Sequence, residues 1–204
     1  MMKKYFSMSK LSVFFPGIVY TVDKPLMHYS RRLAADMGCE IRLLPYSGFP
    51  KKVIGDKNRM DESYRIALEQ TRQMLSDIDL TAYEDILFVG KSIGTIVAAQ
   101  IASESPAAER IRLVLYTPLE HTFSFPFGEA IVFTGDRDQW VGSGQSRMIE
   151  MIRKREYPCY LIPGGNHSLE TKDVQQDIQN MQMIMRETAQ FMNREIRSIA
   201  YDLD

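Results

Sequence analysis

The chain has 204 residues, of which 45% are hydrophobic, which is enough to bury the core of one compact domain but short for two. Lys and Arg total 25 and Asp and Glu total 26, so the net charge is −1 and the basic excess typical of a nucleic-acid-binding protein is excluded. No run of apolar residues is long enough to predict a membrane-spanning helix. We therefore expect one domain over residues 1–204, with neither nucleic acid nor a membrane as its partner.

The few cysteines and histidines indicate a reduced protein without a metal site. Cys39 and Cys159 stand in apolar contexts and form no C-x-x-C pair, so both are expected to be reduced core residues of a cytoplasmic protein. Lys3 and Lys4 precede an apolar stretch, but polar residues dilute it and no small-residue cleavage site follows, so no signal peptide is predicted. The three histidines lack metal-ligand spacing, and we expect neither a metal nor a cofactor.

Strands and helices are predicted to alternate along most of the chain. Short apolar or β-branched runs predict strands at 11–15, 40–44, 85–89, 111–116, 130–134 and 158–162. Helical patterns are found at 25–37, 61–75, 93–102 and 172–196. This alternation indicates an α/β fold with a mostly parallel sheet of about six to seven strands and helices on both faces. Ligands bind at the carboxyl ends of the strands in such sheets, so the residues after each strand are the candidates for a site.

The last helix is predicted to pack its apolar stripe against the core. The stripe consists of Val174, Ile178, Met181, Met185 and Met192. Methionine is a flexible gap filler, which favours core packing over a binding groove. Residues 46–58, in contrast, are rich in Gly, Lys and Pro and are predicted to form a polar loop.

A G-x-S-x-G motif, GKSIG at 90–94, lies between the apolar run 85–89 and the following helix. The motif places Ser92 on a sharp turn that projects its hydroxyl above the sheet, and flanking glycines leave room for the turn. The N-terminus of the next helix directs its positive end to the same place, which favours a developing oxyanion. A structural turn with a buried serine is the alternative, but the strand–turn–helix context favours a nucleophile.

Candidates for an acid and a base follow the next strands. GDRDQWV at 135–141 contains Asp138, and PGGNHSL at 163–169 contains His167. A serine nucleophile needs a histidine base and an acid that orients the histidine. The order Ser92, Asp138, His167 is the order associated with this kind of serine turn, whereas other serine-hydrolase folds use other orders.

Neighbouring charged residues offer alternatives to these assignments. Asp136 is expected to bond to the backbone of its own turn, two residues on. Glu120 follows a predicted strand by four residues and is the competing candidate for the acid. His121 precedes Asp138 in the chain, which is the wrong order for the base, so it is a candidate for lining the site. Lys91 is expected to be solvated with its stem packed on the sheet, and contact with a substrate carboxylate is the alternative.

The three motif segments resemble, in order and spacing, the catalytic loops of the α/β-hydrolase superfamily, and the resemblance covers about residues 11–196. The chain is most similar to small members without a lid, such as dienelactone hydrolases and short-chain esterases. The resemblance implies a single-domain α/β-hydrolase fold with Ser92, Asp138 and His167 as catalytic residues. It also implies an oxyanion hole formed by the backbone N–H groups of Ile18 and Ile93.

The activity that the resemblance implies is hydrolysis of a carboxylic ester or thioester through an acyl-enzyme. Residues 117–129 leave room for only a short loop, so no cap domain is expected and the site should be open to a small ester or an acyl group on a carrier. Acyl transfer, peptidase activity and binding without turnover are the alternatives, and the oligomeric state is left open. The candidates for substrate contact are Tyr20, Glu120, His121 and Trp140.

Overall fold

Six parallel strands form the centre of the structure, a computed structural model that describes residues 9–193. The strands are β1 (Lys10–Phe15), β2 (Glu40–Leu43), β3 (Asp85–Lys91), β4 (Ile111–Tyr116), β5 (Ala130–Gly135) and β6 (Cys159–Ile162). Their order in the sheet is β2-β1-β3-β4-β5-β6, and every neighbouring pair is parallel. All six predicted strands are confirmed, with boundaries that differ by no more than two residues.

Five α-helices cover the two faces of the sheet in the described residues. They are α1 (Pro25–Asp36), α2 (Lys57–Met74), α3 (Ile93–Glu104), α4 (Gln145–Lys154) and α5 (Val174–Met192). Helices α1 and α5 pack together on one face, and α2 packs against α3 on the other. The expected α/β architecture with helices on both faces is therefore confirmed.

Two helices differ from the prediction. Helix α2 begins at Lys57, four residues earlier than predicted, because the Asp56 carboxylate accepts a hydrogen bond from the Arg59 N–H and caps the helix (3.1 Å). Helix α4 was not predicted at all. Its sequence nevertheless has apolar residues at helical spacing, Met148, Met151 and Ile152, and Met148 and Ile152 are buried, so the pattern that predicts this helix is present in the sequence.

The core lies in two layers on either side of the sheet. Ile86 and Phe88 of β3 pack on the face of α2, α3 and α4, whereas Leu87 and Val89 pack on the face of α1 and α5. Every residue of β3 is buried. A central parallel strand has no solvent face, which explains the uninterrupted apolar run that predicted it.

The buried face of α5 agrees only in part with the one that the apolar spacing predicted. Val174 and Ile178 are 70% and 59% exposed, so the prediction was wrong for them, whereas Met192 is buried and Met181 and Met185 pack partly against the core. The other buried residues of the helix are Asn180, Ile184, Thr188 and Phe191. Two of these are polar, which is why a search for apolar periodicity misplaced the face. Residues 194–196 of the predicted helix lie outside the described residues.

A buried ion pair ties α5 to the sheet at the end opposite the predicted site. The Arg112 guanidinium donates hydrogen bonds to both carboxylate oxygens of Asp85 (2.9 and 3.0 Å) and to the backbone carbonyls of Phe191 and Met192 (2.7 and 3.1 Å). Asp85 opens β3 and Arg112 lies near the start of β4. The carboxylate and the two carbonyl acceptors compensate in part for the loss of water around the guanidinium, whose Nε is buried without a hydrogen-bond partner.

The connection between β4 and β5, residues 117–129, contains one short 3₁₀ helix, Glu120–Ser124. The chain therefore inserts no cap between these strands, as predicted. Within the described part of the chain, no helix combines the length and the apolar character needed to span a bilayer.

The two cysteines occupy different environments. Cys39 is buried and Cys159 is exposed at the start of the edge strand β6, so the prediction that both are core residues was wrong for Cys159. An edge strand has a neighbour on one side only, so its apolar residues are covered less completely than those of β3.

Candidate active site

The sheet order places a crevice between the ends of β1 and β3. After β1 the chain moves outward to β2, whereas β3 lies on the other side of β1, so the loops that follow β1 and β3 diverge. Such a switch point is where α/β sheets bind ligands. The loop after β1 reaches Ser92, since a Cβ atom built on Gly17 would lie 3.3 Å from the Cβ of Ser92.

Ser92 is the single residue between β3 and α3, and its backbone is strained. Its φ is 57° and its ψ is −124°, a conformation that residues other than glycine rarely adopt. The turn is held by its neighbours, because the Ser92 N–H donates to the Tyr116 carbonyl (3.0 Å) and the Thr95 N–H donates to the Ser92 carbonyl (2.9 Å). The predicted sharp turn is therefore present.

The second glycine of the motif is required by close packing. A Cβ atom on Gly94 would overlap the carbonyl oxygen of Phe15, at the end of β1. The absence of a side chain therefore lets the first turn of α3 lie directly on the neighbouring strand. This contact sets the position at which the N-terminus of α3 meets the crevice.

The three side chains predicted as nucleophile, base and acid form one hydrogen-bonded chain. His167 Nε2 lies 2.7 Å from Ser92 Oγ, and His167 Nδ1 lies 2.7 Å from Asp138 Oδ2. An ionised carboxylate can only accept, so in the neutral imidazole Nδ1 carries the proton and Nε2 accepts from the serine hydroxyl. The arrangement can transfer a proton from Ser92 to His167.

The second carboxylate oxygen of Asp138 is also engaged. Asp138 Oδ1 accepts a hydrogen bond from the Trp140 backbone N–H (2.9 Å), and the side chain is fully buried. The competing acid, Glu120, lies instead on the 3₁₀ helix Glu120–Ser124 and pairs with Arg147 (3.0 Å). The geometry therefore favours Asp138 over Glu120 as the partner of His167.

Asp136 fixes the loop that carries His167. Its carboxylate accepts a hydrogen bond from the Gly164 N–H (2.7 Å), so the predicted bond within its own turn was wrong. Nearby, a Cβ atom on Gly135 would overlap the carbonyl oxygen of Gly165. The acid loop and the histidine loop are thus in direct backbone contact, which limits how far His167 can move from Asp138.

The environment of His167 favours its neutral form. Burial lowers the pKa of the imidazole below its ordinary value, and the positive charge of Lys91 lowers it further. The hydrogen bond to Asp138 opposes both effects but does not outweigh them. A neutral imidazole at neutral pH is the form that can accept the serine proton.

Lys91 is buried rather than solvated, which corrects the expectation from the sequence. The residue is 1% exposed, and its Nζ lies 4.9 Å from the centre of the Tyr20 ring. Burial lowers the pKa of Lys91 to about 7. A side chain covered in this way is not placed to contact a substrate carboxylate.

Tyr20 is likewise part of the core. The residue is 9% exposed, and its hydroxyl accepts a hydrogen bond from the Leu26 N–H at the start of α1 (3.1 Å). Burial raises the pKa of this phenol well above its ordinary value. The expectation that Tyr20 contacts substrate is therefore corrected to a structural role beneath the loop after β1.

The amides predicted for an oxyanion hole lie at the crevice. Ile93 is the first residue of α3, where a backbone N–H has no acceptor within the helix. Ile18 lies in the loop after β1, which is closed by a hydrogen bond from the Gly17 N–H to the Tyr20 carbonyl (3.0 Å). The Ile18 side chain packs against the apolar cluster of Ile93, Ile96 and Leu119, which brings the two segments together. The role of both amides stays a prediction.

Two grooves meet at Trp140, whose ring stacks on that of His167 with centroids 4.9 Å apart. The smaller groove, of about 270 Å³, is lined by Glu120 and His121, so three of the four predicted substrate contacts lie in grooves beside His167. The larger, of about 680 Å³, includes Ile18, Trp140 and residues 46–54. Residues 46–58 were predicted to form a polar loop, and the structure places residues 46–54 along this groove. The apolar members of this loop, Val53 and Ile54, were the signal that it borders the site.

No group of three His, Cys, Asp or Glu side chains in residues 9–193 is arranged to hold a metal ion.

Solved structures with a similar fold are described as hydrolases. One is a proposed hydrolase of the alpha/beta superfamily from Xanthomonas campestris pv. campestris, 14% identical, with a TM-score of 0.62 over 91% of this chain and 98% of that chain. Another, from Agrobacterium tumefaciens, is a protein of unknown function and a proposed alpha/beta hydrolase, 14% identical, with a TM-score of 0.60 over 94% and 87% of the two chains. A third, from Xanthomonas campestris, is described as an alpha/beta serine hydrolase without a lid, 13% identical, with a TM-score of 0.55 over 95% and 87%.

No protein-family model and no curated protein sequence matches the chain. At these low identities the structural likeness shows the fold alone. It shows that the chain has the fold of the α/β-hydrolase superfamily, in the form without a lid that one of these neighbours is described as having.

Proposed function

We propose that this chain, which has the α/β-hydrolase fold, is a serine hydrolase that cleaves a carboxylic ester or thioester. The observation that carries the proposal is the hydrogen-bonded chain from Ser92 through His167 to Asp138, with both links at 2.7 Å. Two grooves meet at Trp140, whose ring stacks on that of His167, so a substrate can approach the three residues from either groove.

In the proposed reaction the Ser92 oxygen attacks the carbonyl carbon while its proton moves to His167 Nε2. The backbone N–H groups of Ile18 and Ile93 would stabilise the oxyanion of the tetrahedral intermediate. Collapse of the intermediate expels the alcohol or thiol, which takes the proton from Nε2 and leaves an acyl group on Ser92. Water then attacks this ester, again with His167 as base, and releases the acid and the free serine.

The surroundings of the three residues suit these steps. Burial keeps the pKa of His167 low, so the imidazole is available as a base at neutral pH. Once it is protonated, the buried Asp138 carboxylate stabilises the imidazolium through the Nδ1 hydrogen bond. The hydrogen bonds that Tyr116 and Thr95 make to the backbone of Ser92 hold the nucleophile in its strained turn, directed at the crevice.

Covalent labelling with a fluorophosphonate tests the nucleophile. A serine activated by a base attacks this phosphorus electrophile, so mass spectrometry should find the adduct on the peptide that contains Ser92. Ser92→Ala should abolish labelling. Ser168→Ala, which changes a serine beside His167 outside the hydrogen-bonded chain, should retain it. An adduct on another serine in the wild type would refute the assignment.

Turnover tests the reaction class. Hydrolysis of a p-nitrophenyl ester and of a thioester with the same acyl group should both depend on Ser92. Ser92→Ala is expected to lower kcat by about 10³-fold or more, because the remaining groups supply only a small part of the rate enhancement. A protein that is labelled at Ser92 but hydrolyses neither substrate would contradict the proposed hydrolase activity.

A further inference from the structure

The larger groove beside the candidate site combines apolar walls with two lysines. It begins at Ile18 and Trp140, the residues that join it to the proposed oxyanion hole and to His167. Its walls include Val19, Tyr46, Val53 and Ile54, and its basic residues are Lys51 and Lys52. A substrate bound at Ser92 therefore has an adjacent channel that is apolar along its walls and basic at Lys51 and Lys52.

The wall formed by residues 46–53 is anchored at both ends. Near its start, the Tyr46 hydroxyl is hydrogen-bonded to Thr71 of α2 (2.7 Å). Near its end, the Arg59 guanidinium donates to the carbonyls of Lys51 and Lys52 (2.9 and 3.4 Å), and Val53 is 5% exposed. These contacts hold the two lysines on a fixed backbone, so the groove exists before a ligand enters.

Two large apolar side chains of the groove are exposed to solvent. Val19 is 79% exposed and Ile54 is 61% exposed. They border the same groove although they lie on different loops. Covering them with the methylene chain of a ligand would remove apolar surface from water, which stabilises the bound state.

The lysines of the groove are free to attract an anion. In the described part of the chain, neither Lys51 nor Lys52 forms an ion pair, and the nearby Asp56 carboxylate is paired with Arg59 (3.2 Å). The smaller groove has no lysine or arginine among its described lining residues, and of its two carboxylates Glu120 is paired with Arg147. An anionic group is thus attracted to the larger groove and finds no matching cation in the described lining of the smaller one.

We propose that the larger groove binds one arm of an ester substrate, an inference that rests on the proposed function. This arm is an apolar chain that ends in a carboxylate. The methylene chain of this arm lies along Val19 and Ile54, and its carboxylate lies at Lys51 and Lys52. The preferred substrates are then half-esters of dicarboxylic acids, or esters whose alcohol carries a carboxylate, rather than uncharged esters of the same length.

The proposal is tested with matched substrates. Mono-p-nitrophenyl adipate and p-nitrophenyl hexanoate have acyl chains of equal carbon number, and only the first carries a terminal charge. Solvent-exposed lysine contacts are modest, so kcat/KM for the charged ester should exceed that for the neutral one by about three- to tenfold. The preference should fall as salt is added, because exposed charges are screened.

A double variant, Lys51→Met with Lys52→Met, should remove the preference, so that kcat/KM for the adipate falls to about the value that the same variant has for p-nitrophenyl hexanoate. Lys24→Met with Lys154→Met makes the same change in net charge outside the groove and should retain the preference. Equal rates for the two esters in the wild type, or a preference that survives loss of Lys51 and Lys52, would overturn the proposal.

The two arms of the ester are distinguished by a third substrate, 4-carboxyphenyl butyrate, which carries the charge on the leaving group. If kcat/KM falls in the Lys51→Met, Lys52→Met variant for this compound alone, the groove binds the alcohol arm. If it falls for the adipate alone, the groove binds the acyl arm. Failure of the proposed function gives a different result, since Ser92 would then not be labelled and the neutral ester would not be hydrolysed by any variant.

Discussion

Trp140, the one tryptophan of the chain, lies with its ring against the imidazole of His167, with centroids 4.9 Å apart and ring planes 21° from parallel. The backbone N–H of Trp140 also donates to Asp138, the residue that holds the Nδ1 edge of the same imidazole (2.7 Å). One turn therefore supports both the edge and a face of the ring. Rotation of His167 away from Ser92 would have to break the hydrogen bond and the stacking together.

This stacking predicts that the fluorescence of Trp140 reports the protonation of His167. An imidazolium in contact with an excited indole accepts an electron from it more readily than neutral imidazole does, so emission should rise with pH as His167 loses its proton. Because burial lowers the pKa of His167, the midpoint should lie below about 6.5, the ordinary histidine value. The acidic limb of kcat/KM should share this midpoint.

Two variants decide whether the fluorescence change comes from His167. His167→Gln should remove the transition, whereas His28→Gln, on α1, should leave it unchanged. A transition that persists in His167→Gln would show that another group quenches Trp140. A midpoint well above 6.5 would contradict the inferred effect of burial on His167.

The acid can be assigned by a pair of conservative variants. Asp138→Asn keeps the size of the side chain but removes the charge that orients and stabilises the protonated imidazole, so kcat should fall by about 10³- to 10⁴-fold. Glu120→Gln breaks only the surface pair with Arg147, and kcat should change by less than about tenfold. Steady-state hydrolysis of one p-nitrophenyl ester by both variants makes the comparison, and the reverse ranking would move the acid to Glu120.

The sheet and the three central residues of the site could be predicted from the sequence because both leave local patterns. A strand buried on both faces has an uninterrupted apolar run, as in β3, and a strained serine turn needs small neighbours such as Gly94. Parallel strands bring their carboxyl ends to one edge, so the strand ends alone place Ser92, Asp138 and His167 close together. The strands and the positions of these three residues could thus be predicted because backbone geometry determines them.

The errors came from side chains whose partners are distant in the chain. Lys91 is charged, and nothing in its neighbourhood along the chain shows that the Tyr20 ring covers it. Thr188 is polar, but its hydrogen bond to the Tyr116 hydroxyl makes it a core residue of α5 (2.8 Å). Asp136 bonds to the loop of His167 instead of to its own turn. Such contacts follow from the packing of the fold, which local spacing does not encode.

The buried Lys91 predicts an unusual dependence of stability on pH. Its pKa is about 7 in the folded protein, against an ordinary value of 10.5, so the unfolded chain binds the proton more tightly. Protonation therefore favours unfolding, and the contribution of Lys91 to stability rises as the pH increases from about 7 to about 10.5. Lys91→Met, which keeps the buried stem without the charge, should be more stable than the wild type at neutral pH.

Denaturant unfolding at about pH 7 and about pH 9.5 measures this difference. The advantage of Lys91→Met in the free energy of unfolding should shrink by roughly 2–3 kcal/mol between the two conditions. Lys154→Met, which removes an exposed lysine, should show no comparable change. A constant difference between Lys91→Met and the wild type would mean that Lys91 titrates outside this range.

The close approach of Gly94 to β1 predicts that even one added methyl group damages the site. In Gly94→Ala the new Cβ would overlap the Phe15 carbonyl oxygen, and a backbone atom cannot rotate away as a flexible side chain can. Helix α3 must then shift away from β1, carrying Ser92 with it. We expect the free energy of unfolding to fall by about 2 kcal/mol or more and labelling of Ser92 by a fluorophosphonate to slow strongly.

Gly128→Ala is the matched control, because its Cβ would lie 3.7 Å from the nearest atom, the Ile111 carbonyl oxygen, at ordinary contact distance. Equal stability and equal labelling rates for the two variants would show that α3 does not depend on this contact for its position.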